Sequence, residues 1–255
     1  MEKEQMRKIL LKKGERLDVL KRENIEIIQS SSVFSFSLDA VLLADFASVP
    51  RVRSAKIVDL CSGNGAVAFL LTGKTNNPVV GIEIQEKLID MARRTVELNQ
   101  LEERVTFIHA DIKKITDQIR PDSVDVITCN PPYFKDLPTS TKNTNDAFTL
   151  ARHEILLSLP ELMKKSSQLL KMNGHAYFVH RPDRLLDILD SLRNNRLAPK
   201  RIQFVYPRMG KDANMILIEA IKDGKEDGLK ILPPLYVHDQ TGDYSQEVKE
   251  ILFGE

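Results

Sequence analysis

The sequence predicts an α/β fold: a mostly parallel sheet with one reversed strand near its edge and helices on both faces. Three observations carry this expectation. Apolar runs recur at residues 56–60, 79–83, 105–108 and 124–127, with helical patterns between the first three. Such alternation calls for right-handed crossovers and a sheet covered on both sides. Near the end, strand-like runs at 201–206 and 215–221 are separated only by residues 207–214. That gap is too short for a helical crossover, so these two should pair antiparallel.

Taken in order, residues 1–16 hold Lys3, Arg7, Lys8, Lys12, Lys13 and Arg16 against three glutamates and form a locally basic opening. Runs at 17–20 and 25–28 flank Lys21-Arg22-Glu23-Asn24 and read as a hairpin. A helix follows over 38–46. The strongest helical pattern spans 85–99, where Leu88, Met91, Ala92, Val96 and Leu98 recur at near-helical spacing among charges. After a polar stretch at 134–150 come a helix near 154–170, a strand at 175–179 and a helix at 183–193. The sheet therefore counts seven strands. The chain divides into a basic segment, hairpin and capping helix (1–50), a core (51–225) and a C-terminal extension (226–255).

Composition bounds the function. With 255 residues and 42% hydrophobic content the chain can fill one sizeable core. Lys plus Arg total 37 against 36 acidic residues, so a polyanionic partner would have to be met by local patches. The charged start lacks the apolar core of a signal peptide, and no apolar run approaches the roughly 18 residues of a membrane span. The expectation is a cytoplasmic protein without membrane contact. Cys61 and Cys129 lie far apart with no CxxC, so neither a metal site nor a disulfide framework is expected.

The candidate chemistry begins at Asp59-Leu60-Cys61-Ser62-Gly63-Asn64-Gly65, which follows the first core strand and opens a helix. Glycines suit a loop that turns sharply and lets a cofactor approach the backbone. Glu83, twenty residues after Gly63, stands where a ribose-binding acid belongs. These features alone fit a nicotinamide cofactor or S-adenosylmethionine equally. Asp111, at the end of the third strand, can accept from an adenine amino group. Asp59 suits the ammonium of a methionine moiety and would repel a pyrophosphate; both favour S-adenosylmethionine. Asn130-Pro131-Pro132-Tyr133 then follows the fourth strand, at the sheet edge where open α/β folds bind ligands. An amide oxygen, a rigid carbonyl and an aromatic face make a socket for a planar amine.

The order of Gly-rich loop, ribose acid, adenine acid and Asn-Pro-Pro-Tyr resembles class I methyltransferases acting on exocyclic or amide nitrogens, and implies their Rossmann-like fold. Together with 34–44 (Phe-Ser-Phe-Ser-Leu-Asp-Ala-Val-Leu-Leu-Ala) and Asp243-Tyr244-Ser245, it resembles the bacterial valine-tRNA adenine-37 N6-methyltransferases over nearly the whole chain. The resemblance implies action on tRNA, and a monomer is expected. It also implies a cofactor cap before the first core strand, with Phe36 and Asp39 lining the methionine end. Cys61, Gly63 and Gly65 would then line the cofactor loop, and Asn130 would touch both cofactor and amine. Release-factor glutamine methyltransferases share the socket but carry a longer helical substrate domain. Arg181, Arg208 and Lys211, near strand ends, are candidate phosphate contacts; Lys135 and Lys142 in the polar loop are candidates to close over a substrate strand, and Arg152-His153 follows that loop at a helix entry.

Overall fold

A computed structural model of the chain describes residues 10–30, 38–51, 54–131 and 157–254. The expected hairpin is present as β1 (Glu15–Leu20) and β2 (Ile25–Ser30), paired antiparallel. α1 (Leu38–Phe46) follows. Then come β3 (Ile57–Leu60), α2 (Ala66–Leu71), β4 (Val79–Glu83), α3 (Glu86–Asn99), β5 (Val105–His109), a 3-10 turn (Ile112–Asp117) and β6 (Val124–Cys129). The chain resumes with α4 (Leu159–Leu169), β7 (Leu170–His180), α5 (Leu185–Asn194), β8 (Leu197–Tyr206) and β9 (Met215–Lys222). It ends with β10 (Lys230–Ile231), β11 (Leu235–Tyr236) and α6 (Gln246–Phe253).

The sheet runs β10-β8-β9-β7-β6-β3-β4-β5, and β11 also pairs with β8. β9 is the reversed member, antiparallel to both β7 and β8. The mostly parallel sheet with one antiparallel strand is thus present. The count of seven needs correction to nine, because β10 and β11 add to the outer edge of β8. Each is only two residues long, too short to leave a periodic pattern in sequence. β8 also begins four residues earlier than expected. Its register shifts between Pro199 and Arg201, the kind of irregularity where a strand tolerates proline.

Side chains alternate across the sheet, as a period of two requires. Ile57, Val79, Phe107, Val126, Tyr177 and Val179 face one core with α1, α2 and α3. Val58, Leu60, Ile82, Ile127, Cys129 and Phe178 face the other, under α4 and α5. The hairpin is tied to α3 by backbone–side-chain pairs. Ile28 N–H donates to Thr95 Oγ1 at 3.0 Å, and Asn99 spans Glu26, accepting from its N–H at 3.0 Å and donating to its carbonyl at 2.8 Å. Among the described residues no helix is long and apolar enough to cross a membrane.

Candidate active site

β3, β4, β5 and β6 all end on one edge of the sheet, and the chemistry-bearing residues lie on their exits. After Leu60, Cys61 takes a left-handed conformation (φ 54°), as do Gly63 (57°) and Gly65 (92°). This path folds the loop back: Ser62 N–H donates to Ile82 carbonyl at 2.9 Å, and Gly65 N–H to Ser62 carbonyl at 2.8 Å. Gly63 faces open space where a Cβ would stand, whereas a Cβ on Gly65 would enter Phe107 and approach Phe69 Cε2 to 2.7 Å. The first glycine leaves room above the loop; the second permits its packing below. Asn64 Nδ2 donates to Ile28 carbonyl at 3.1 Å, binding the loop to the hairpin.

Glu83 is buried and holds the loop from the next strand. One oxygen accepts from Gly63 N–H at 2.9 Å, and the other from Ile84 and Gln85 N–H at 3.0 and 2.9 Å. A carboxylate offers about four acceptor directions, so one remains for a ligand hydroxyl. Holding two ribose hydroxyls would require release of one amide. Asp111 caps the 3-10 turn, its Oδ1 accepting from Lys113 N–H at 2.9 Å.

Asp59 is 1% exposed and pairs across the ladder with Thr128, whose hydroxyl donates to Oδ1 at 2.7 Å. Among the described residues its Oδ2 is buried and has no hydrogen-bond partner, and the same holds for Ser62 Oγ. Burial, helped by the charge of Glu83, raises the Asp59 pKa to about 7 against the pull of the Thr128 hydroxyl and, more weakly, of the Ala68 backbone N–H. An orphaned acceptor, an orphaned hydroxyl and open space over Gly63 fit a ligand that brings a cation and hydrogen-bonding groups to this loop. Cys61 and Cys129 are free, and their thiols face each other as the strand exits require. Burial first, then contact with Cys61, pushes the Cys129 thiol up, so it packs as a neutral group.

A family model for a methyltransferase domain matches residues 52–195. A tRNA1(Val) (adenine(37)-N6)-methyltransferase of Bacteroides fragilis is 30% identical over 218 residues, covering 83% of this chain and 88% of that one. The chain belongs to this methyltransferase family. A relative of the same name from Porphyromonas gingivalis is 28% identical, covering 90% of this chain and 91% of its own. The family fold is seen in a structure from Agrobacterium tumefaciens described as a predicted O-methyltransferase (TM-score 0.67, 20% identity, 85% and 96% covered). It is seen again in the structure of P. horikoshii TYW2 in complex with MeSAdo (TM-score 0.58, 12% identity, 84% and 73% covered).

Within this methyltransferase, Asp59, Cys61, Gly63, Gly65, Glu83 and Asp111 gather on the exits of β3, β4 and β5. Asn130 and the buried Pro131 follow β6, beside β3. Asp39 is buried in the first turn of α1, which packs on β7, β9 and α2. Phe36, Pro132, Tyr133, Lys135, Lys142, Arg152 and His153 lie outside the described residues. Among the described residues no group of three or more His, Cys, Asp or Glu is placed to hold a metal ion. Sequence reasoning missed Thr128 and Ser62, which touch or flank Asp59 and Gly63. It also missed Lys74, whose Nζ donates to the carbonyls of Ala44, Asp45 and Ala47 at 3.0, 2.5 and 2.7 Å and so seals the end of α1. Thr128 could have been found only from the strand order, since its signal is its register opposite Asp59.

Proposed function

We propose that this enzyme transfers a methyl group from S-adenosyl-L-methionine to N6 of an adenine in tRNA, at position 37 of a valine tRNA. The observation that carries the reading is the similarity over most of the chain to relatives bearing that name, combined with Asn130-Pro131 at the exit of β6 beside the glycine loop of β3. In this reading residues 1–50 cap the site, 51–225 form the core and 226–255 an extension, and the enzyme is a cytoplasmic monomer.

The donor supplies an electrophilic methyl group on a sulfonium. Asp59 receives its ammonium on the free Oδ2, Glu83 a ribose hydroxyl and Asp111 the adenine amino group, while Asp39 and Phe36 close the methionine end. The target N6 is a weak nucleophile because its lone pair is delocalised into the ring. Asn130 Oδ1 and the Pro131 carbonyl accept its two N–H bonds, draw the nitrogen toward tetrahedral geometry and aim the lone pair. They also stabilise the positive charge that builds on nitrogen as the N–C bond forms and the S–C bond breaks; the donor would leave as neutral S-adenosylhomocysteine and one N–H proton passes to solvent. Pro132 keeps the turn stiff and Tyr133 stacks on the base, which must leave its own stack. No imidazole or metal is needed for these roles.

The test is mass spectrometry of tRNA nucleosides from a strain lacking the protein, joined to transfer of labelled methyl into that tRNA in vitro. Loss of N6-methyladenosine and its restoration by the enzyme support the reading. Label entering a release factor and not tRNA would make the enzyme a glutamine N5-methyltransferase.

A further inference from the structure

Beyond the methyl-transfer site, the same edge of the sheet carries a second feature on its outer strands. The turn between β8 and β9 and the segment after β11 run side by side: Val237 N–H donates to Tyr206 carbonyl at 2.8 Å and His238 N–H to Pro207 carbonyl at 3.0 Å. Between them lies an open groove of about 570 Å³ lined by Pro207, Arg208, Lys211, Asp212, His238 and Gly242. On this edge Arg181 and Arg184 are engaged by Asp183 and Asp187. Arg208 and Lys211 form no ion pair with any described residue, Asp212 included. The neighbouring Asp239 turns its Oδ1 onto Thr241 N–H and Gly242 N–H at 2.8 and 3.1 Å. The ring of Tyr244 stacks on His238, centroids 5.2 Å apart and planes 11° from parallel, and remains 37% exposed.

We propose that this groove is an RNA-docking surface: Arg208 and Lys211 take phosphates of the strand that flanks the methylated base, and Tyr244 offers a stacking face to a neighbouring base. The inference rests on the tRNA reading above and says where that substrate is held. Two unpaired cations beside an exposed aromatic plane are the chemistry of single-strand recognition, in which charge tracks the backbone and π-faces take bases. Position agrees with this role. β8 stands three strands from β6, through β9 and β7. At about 4.8 Å per strand that is about 14 Å. The groove is thus too far from Asn130 to touch the reacting base and near enough to hold its neighbours. Charge on the groove acts on binding and leaves the methyl-transfer geometry untouched.

The test compares wild type with Arg208→Gln/Lys211→Gln, with Tyr244→Ala, and with Lys164→Gln/Lys165→Gln. The last pair removes equal charge from a cleft at the opposite end of the sheet. The probe is tRNA from a strain lacking the enzyme, with binding measured across salt concentrations and turnover at saturating donor. For the first variant, KM for tRNA should rise about tenfold and kcat should hold within about twofold. The salt slope should shrink by about 1.4 to 1.8 for two lost phosphate contacts. Tyr244→Ala should raise KM with no change of slope, and the Lys164/Lys165 variant should match wild type. An unchanged KM and slope in the Arg208/Lys211 variant, or an equal loss in the Lys164/Lys165 variant, overturns the surface while the tRNA reading stands. Wild-type enzyme that binds and methylates no tRNA overturns both. S-adenosylhomocysteine affinity, expected to be equal in all four proteins, reports that each is folded.

Discussion

Asp59 is the residue whose environment differs most from that of an ordinary carboxylate. Its pKa in the folded chain is about 7 against an ordinary aspartate value of 3.8, so the folded protein binds this proton more tightly than the unfolded chain does. The ligand-free fold therefore loses stability as pH rises from about 4 to about 7 and is level with respect to this group above that. A bound ammonium reverses the preference by stabilising the carboxylate. Affinity for S-adenosylhomocysteine should thus climb up to about tenfold per pH unit below 7 and level off above it, where Asp59 is already ionised. Calorimetric titration from pH 5.5 to 9 checks this; Asp59→Asn should flatten the acid limb, and a limb that survives the substitution would assign it elsewhere. Asn130→Ala tests the other half of the site. Turnover should drop by about a hundredfold or more, as for loss of one oxyanion-hole donor, with donor affinity little changed.

Among the elements, the β3–α2 loop and α1 are held by different means. The loop depends on Gly65, whose left-handed backbone and absent side chain let Phe69 and Phe107 close beneath it, their ring centroids 5.5 Å apart. Gly65→Ala combines backbone strain with overpacking and should cost roughly 2–4 kcal/mol in urea melts. α1 lacks a basic residue in its last turn, and its carbonyls are satisfied from outside by Lys74. Arg201 adds a bond to Phe46 carbonyl at 3.3 Å and lies over the Phe46 ring at 4.7 Å. Lys74→Met leaves these carbonyls without a donor and should lower stability by roughly 1–3 kcal/mol, with partial recovery in Lys74→Arg. Because α1 carries Asp39, the loss should be accompanied by a higher KM for the donor.

At the scale of the molecule, β7, β8 and β9 are joined by a charged cluster on the α1 face. Glu219 accepts from Tyr177 Oη at 3.0 Å, contacts His175 Nδ1 at 2.8 Å and pairs with Arg201. Burial alone would raise its pKa, but the hydrogen bonds from His175, Arg201 and Tyr177 bring it down to about 2. A depressed carboxylate contributes stability above its unfolded value and loses it as pH falls through the folded one. The advantage of wild type over Glu219→Gln should therefore be full at pH 6 and shrink between about pH 4.5 and 2. Denaturant melts at pH 6, 4 and 3 measure it; a constant gap would show that the cluster holds through packing and not through charge.

Much of this architecture was legible before folding was considered. Strands buried on both faces read as apolar runs, and the alternation of runs and helices called for crossovers and a parallel sheet. The 207–214 gap required the reversed strand. Gly63, Gly65, Glu83 and Asp111 stand out in the sequence because each lies at a strand end or in the loop that leaves it, where local sequence decides the turn. What only the tertiary structure decided are contacts between residues distant in the chain. Thr128 lies 69 residues from Asp59, Lys74 reaches carbonyls 27 to 30 residues away, and Asn64 meets Ile28 across 36. Periodicity reports which face a side chain takes and not which partner waits there. The raised pKa of Asp59 is likewise a property of burial, which the sequence around it does not encode. The residues for the chemistry are written locally; their charge state and support come from the strand order that brings β3, β4 and β6 together.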